Sequence, residues 1–145
     1  MNKNLELKLK NAFPKLLIEM YGEPAKTWMA WGISCDDGWY DIIYKLCDEI
    51  QQWSDKSGIQ ITAKQIKEKF GTLKFYARND TDKEMSAEDW DVIQKIILKY
   101  ENLSKSTCEL TGGVGKLKIR EFLYKTLCEQ SAVLLGFSDC ENKHI

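Results

Sequence analysis

Two runs of alternating residues meet at one glycine, and this constrains the chain more than any other feature. Ile59, Ile61 and Ala63 alternate with Gln60, Thr62 and Lys64. Leu73, Phe75 and Ala77 then alternate with Thr72, Lys74 and Tyr76. Period-two patterning of this kind marks half-buried strands. Gly71 supplies the positive φ that a tight hairpin turn requires. The apolar phase slips between Ala63 and Ile66, so a bulge or a break is expected there.

Helical patterns flank this hairpin, which makes the expected class α+β, with helices around a small antiparallel sheet. Trp39, Ile42, Ile43, Leu46, Cys47, Ile50 and Trp53 trace one stripe of a helix over 37–53. Asp36 or Asp37 is the expected N-cap, and Ser57-Gly58 the expected stop. A second helix is expected to start at Ser86 with Asp89 in a capping box, and to bury Trp90, Ile93, Ile96, Ile97, Tyr100 and Leu103. Leu5, Leu9, Phe13, Leu16, Leu17 and Met20 also fall at helical spacing, but Pro14 interrupts them. A kink or two short helices is expected, ended by Gly22 and Pro24.

The 145 residues suit one domain spanning 1–145, with 43% apolar residues and five tryptophans to build its core. The formal charge of −1 argues against a protein that wraps nucleic acid with its whole surface. No stretch reaches the ~20 apolar residues that span a bilayer, and the N-terminus lacks the apolar core of a signal peptide. Five cysteines in no regular framework fit a reducing compartment. The expected location is the cytoplasm.

The last third reads Cys108-Glu-Leu-Thr111-Gly-Gly, a basic strand-like run KLKIREFLYKTL, then Cys128-Glu-Gln-Ser131 before an apolar stretch. This is the order of a treble clef: a CxxC turn, a hairpin, and a short helix whose first turn carries the second ligand pair. The second member of each pair is here Thr111 or Ser131, and a neutral hydroxyl is not a usual structural zinc ligand. The subregion 108–137 therefore reads as a degenerate zinc knuckle in which packing replaces the metal. The alternative is a site rebuilt from Cys108, Cys128, Cys140 and the sole histidine, His144.

Several segments together resemble a family of small bacterial and phage proteins. They are FPKLL at 13–17, CDDGWYDII at 35–43, QIKEKFGTLKFY at 65–76, STCELTGG and TLCEQSA. The resemblance implies a shared pattern of Gly-Trp, then KEKFGxLRFY, then TCExCG and TLCxxH, with metal positions falling on Cys108, Thr111, Cys128 and Ser131. It implies an architecture and no activity.

No catalytic constellation stands out. Cys35 lies beside Asp36 and Asp37, which disfavour a thiolate, and Cys47 lies on an apolar stripe. Gly112-Gly113-Val114-Gly115 lacks the Lys-Ser/Thr ending of a phosphate loop and reads as a turn. No cofactor is expected.

Two charged features remain. Residues 35–55 hold six carboxylates, including Asp36, Asp37 and Asp41, against one lysine. Residues 79–91, with Asp80 and Asp82, show the same imbalance. Fields of this kind can steer a basic protein partner. Opposed to them, Lys64, Lys67, Lys69, Lys74 and Arg78 interleave with Phe70, Phe75 and Tyr76, and Lys116, Lys118, Arg120 and Lys125 form a second basic run. Interleaving of this type can hold phosphates while aromatics stack on bases, though the favoured reading is a solvated strand face with Phe70 and Phe75 in the core. The leading expectation is a non-enzymatic protein-binding module, most specifically an immunity protein neutralising a basic nuclease toxin through Asp36, Asp37, Asp41, Asp80 and Asp82. The alternative is a nucleic-acid-binding phage or mobile-element protein using Lys64, Lys67, Lys69, Lys74 and Arg78.

Overall fold

The computed structural model describes residues 1–141. The order of elements is α1 (Lys3–Ala12), a 3-10 turn (Asp37–Trp39), α2 (Tyr40–Ser57), β1 (Ile61–Lys69), β2 (Thr72–Asn79), α3 (Ala87–Ser104), β3 (Lys116–Arg120), β4 (Leu123–Leu127), α4 (Glu129–Leu135) and β5 (Ser138–Asp139). The class is α+β, as the patterning implies.

The hairpin β1–β2 turns through Phe70 and Gly71, both with positive φ, at 52° and 82°. That pair of values is what a two-residue hairpin turn needs to match the strand twist. The register skips Lys64, so the bulge expected near that point is present. Ile66, Leu73 and Phe75 face inward. Phe70 does not: as a turn residue it is 69% exposed, contrary to the expectation that it enters the core.

A two-stranded sheet leaves two free edges, and both are covered. Ser34 exchanges backbone hydrogen bonds with Ile66 and Glu68 along β1, while the Ala63 N–H reaches the Leu16 carbonyl. Along β2, the Leu73 N–H donates to Ser104 Oγ (2.9 Å) and the Phe75 N–H to a Glu101 carboxylate oxygen (3.0 Å). Side chains of α3 thus do what a third strand would do, which removes an aggregation-prone edge.

Helix ends follow the expected chemistry in part. Gly58 closes α2 in the left-handed conformation. Ser86 and Asp89 form a full capping box at α3. Neither Asp36 nor Asp37 caps the helix after it with its side chain; α2 proper starts at Tyr40, after the 3-10 turn. On α3, Ile93, Ile97 and Tyr100 are buried, Trp90 and Ile96 only partly, and Leu103 is exposed. Pro14 ends α1 at Ala12, and the chain beyond it runs through a series of turns rather than a second helix.

Twenty-two buried residues, from Leu9 to Tyr100, form the main core. The C-terminal third has its own small cluster of Cys108, Leu127, Ala132 and Phe137. Its sheet runs β4-β3-β5, and α4 comes directly after β4 as a treble-clef-like unit would have it. Among the described residues no helix is long and apolar enough to cross a membrane.

Candidate functional site

Four of the five segments quoted above converge at one junction. Gly38 N–H donates to the Glu109 carbonyl (2.7 Å), and the Trp39 indole N–H to the Thr107 carbonyl (2.9 Å). A Cβ on Gly38 would lie 2.3 Å from the Cys108 carbonyl oxygen, so only glycine fits. Thr126 Oγ1 donates to the Gly71 carbonyl at the hairpin tip (2.7 Å). Buried Glu109 accepts from the Asp36 N–H (3.0 Å) and pairs with Lys125, which also reaches Asp36. Burial pushes the Glu109 carboxyl up, partly offset by the Asp36 amide and the Lys125 ammonium. Gly38-Trp39, Gly71, Thr107-Cys108-Glu109 and Thr126-Leu127-Cys128 are therefore the lock between the two parts of the fold. Their role is architectural.

Inside that lock, Cys108, Thr111, Cys128 and Ser131 come together. Ser131 Oγ lies 3.8 Å from Cys108 Sγ and 3.2 Å from Cys128 Sγ, and Thr111 Oγ1 lies 3.9 Å from Cys128 Sγ. The backbone N–H of Thr111 points at Cys108 Sγ (3.5 Å) and that of Ser131 at Cys128 Sγ (3.4 Å). Burial raises the Cys108 thiol, but hydrogen bonds from Thr111, Cys128 and Leu110 outweigh it and bring the pKa to about 6. Two thiols and two hydroxyls do not make the donor set of a structural zinc site. Among the described residues no three of His, Cys, Asp and Glu gather as metal ligands, so Cys140 does not join Cys108 and Cys128. His144 lies outside the described residues.

Two further thiols are poor nucleophiles. Cys35 and Cys47 are buried, and burial pushes both thiols far above their ordinary value.

The five acidic candidates do not form one patch. Asp80 pairs with Lys64 at the open end of the hairpin, and Lys64 also holds Glu19. Asp36 sits at the tip end beside Lys125, and Asp37 accepts from the Asn2 N–H (2.6 Å). Lys64 and Lys69 mark those two ends of β1, about 16 Å apart at ~3.3 Å per residue. Asp41 and Asp82 are exposed and make no ion pair among the described residues.

The basic candidates divide differently. Lys64 is consumed by its two carboxylates. By register, Lys67 stands opposite Lys74, Lys69 opposite Thr72 and Gln65 opposite Tyr76 on the outer face of the hairpin, while Arg78 is exposed opposite buried Thr62. Three members of the second basic run are engaged within the fold, and Lys116 is exposed. Lys118 is buried between Glu129 and Asp139, Lys125 serves the junction, and Arg120 donates to the Leu135 carbonyl (2.7 Å) and covers Phe137.

Two exposed indoles carry no signal in the sequence. Trp28 and Trp31 are 76% and 82% exposed in the turn 28–31, while Met29 and Ala30 between them are buried. The loop that carries them is held from several sides. Buried Glu6 on α1 accepts the Ile33 N–H (2.5 Å) and the Tyr21 hydroxyl (2.8 Å), and burial together with Glu6 pushes that phenol up to about 12. Tyr21 N–H reaches the Met29 carbonyl, and the Lys10 ammonium the Met20 carbonyl (2.6 Å). Gly32, at φ 84°, packs directly on Glu6, where a Cβ would come within 2.1 Å of a carboxylate oxygen. The two indoles are thus displayed on a fixed frame.

No protein-family profile, curated protein or solved structure matches this chain.

Proposed function

We propose that this chain is a non-enzymatic protein-binding module of the cytoplasm. In its most specific form it is an immunity protein that sequesters a basic toxin domain. The observation that carries the binding reading is the Trp28/Trp31 turn. Two indoles left in water are a standing hydrophobic liability, and tryptophan is among the residues that dominate interface energetics. A frame already fixed by Glu6, Tyr21 and Gly32 lowers the ordering cost of association. Exposed carboxylates, Asp41 and Asp82 above all, favour a basic partner and speed its encounter. The poorly nucleophilic Cys35 and Cys47 and the lack of a nucleophile–base pair in the sequence agree with a binding rather than a catalytic role. Within this reading the Cys108–Thr111–Cys128–Ser131 cluster is a metal knuckle that has become a packing element.

The experiment is protection and binding against basic nuclease toxin domains, beginning with any encoded beside this chain's gene. Trp28→Ala/Trp31→Ala should abolish both while the melting curve is unchanged. Full protection by that variant would refute the reading. Asp41→Lys/Asp82→Lys should slow association and weaken its salt dependence. Reversing Asp36 or Asp80 instead would also break the pairs with Lys125 and Lys64, so it reports on folding as well.

A further inference from the structure

We propose that the outer face of the β1–β2 hairpin, continued into the groove between β2 and α3, binds single-stranded nucleic acid. The residues of this surface are distinct from those of the Trp28/Trp31 turn, whose loop is hydrogen-bonded to β1 through the backbone of Ser34. Its seven accessible outward positions are Gln65, Lys67, Lys69, Thr72, Lys74, Tyr76 and Arg78, as the register and the inward burial of Ile66, Leu73 and Phe75 require. Four of these are cationic and none is acidic. Among the described residues Lys67, Lys69 and Arg78 make no ion pair. Lys74 has one carboxylate within reach, Glu101 at 3.9 Å, whose other oxygen is committed to the Phe75 N–H.

Beside this face lies a groove of about 680 Å³, whose lining includes Lys69, Lys74, Tyr76, Gln94 and Lys105. Tyr76 is 44% exposed within it, and Phe70 stands out at the hairpin tip. Cations spaced along a strand suit a phosphate backbone, and accessible rings suit stacked bases. Amide side chains such as Gln65 and Gln94 can hydrogen-bond to base edges. Stacking on Tyr76 and Phe70 requires unpaired bases, which selects single strands over duplex. The strand from Thr72 to Arg78 spans about 20 Å, so the face contacts a short stretch of three or four phosphates.

The test is fluorescence anisotropy with labelled oligo-dT and oligo-U of about 12 nucleotides, titrated across a sodium chloride series. Binding should weaken with salt at a log–log slope of about −2 to −3, at ~0.7 per neutralised phosphate. Lys67→Glu/Lys74→Glu should reduce affinity about tenfold or more. Tyr76→Ala should lose roughly 5- to 150-fold, the range of one base stack, and Tyr76→Phe should retain the affinity. Trp28→Ala/Trp31→Ala should leave it unchanged. Melting curves establish that each variant is folded. Three results would overturn the proposal: no binding at about 50 mM salt, equal competition by duplex DNA, or indifference to both the lysine and the Tyr76 changes. Equal competition by polyglutamate, with Tyr76→Ala neutral, would overturn it too and identify the face as one for an acidic protein.

Discussion

The helices and hairpin of residues 1–104 and the small sheet of residues 105–141 are stabilised in different ways. The first region closes over twenty-two buried residues, with Trp39 wholly inside. The second has four buried apolar residues and relies on polar links: a doubly paired Lys118, the Cys108–Ser131–Cys128 contacts, and the hydrogen bonds from Gly38, Trp39 and Thr126. A cluster that small does not outweigh the entropy of ordering its chain. Its order is borrowed from the main core through the junction. Residues that look like a functional signature in the sequence are, in this molecule, the means of that docking.

The largest effect should come from Trp39→Ala, which both empties the main core and deletes the bond to Thr107. A loss of roughly 3–5 kcal/mol in denaturant unfolding is expected. Trp90→Ala, at a half-buried ring, should cost only about 1–2 kcal/mol. Equal losses would mean that α3 packs more deeply than the structure has it.

Gly38→Ala should separate the two regions more selectively. Its Cβ meets backbone oxygens of Cys108 and Glu109 at 2.3 and 2.5 Å, contacts that cannot relax by rotating a side chain. About 1–3 kcal/mol is expected, concentrated in the second region. Hydrogen exchange should quicken for residues 108–139 while α2 and β1 keep their protection. Uniform loss of protection would contradict the idea of a docked dependent unit.

A smaller effect should appear in the pH dependence. The folded pKa of Cys108, about 6, lies below its ordinary 9.0. A depressed acid stabilises the fold fully above the unfolded value and ceases to do so as pH falls through the folded one. Stability of the second region should therefore rise between about pH 6 and 9, and Cys108→Ser should flatten that rise. Thiolate absorbance titrating near the ordinary thiol value would refute the hydrogen-bonded cluster.

Local chemistry was legible in the sequence wherever a residue's conformation depends on its immediate neighbours. The Gly71 turn, the bulge at Lys64, the Gly58 stop and the Ser86–Asp89 box all belong here. Phe70 was within reach too: strands ending at Lys69 and resuming at Thr72 leave it nowhere but the turn. The Gly38–Cys108 approach was not legible, because it joins positions seventy residues apart. Nor was the separation of Asp36 from Asp80, or the burial of Lys118, since pairing across the fold decides both. Trp28 and Trp31 were hidden for a further reason. An irregular loop has no period, so nothing in Trp-Met-Ala-Trp tells which side chains point inward until Glu6 and Gly32 fix the frame.

The central claim is that the five tryptophans divide by role, with Trp39 holding the fold and Trp28 and Trp31 held ready for a partner. Equilibrium unfolding of Trp28→Ala/Trp31→Ala beside Trp39→Ala tests this most directly. The double variant should change stability by no more than about 0.5 kcal/mol per site, as exposed positions do, while Trp39→Ala loses most of the stability. A double variant destabilised by more than about 2 kcal/mol would place those indoles in the core and contradict the account.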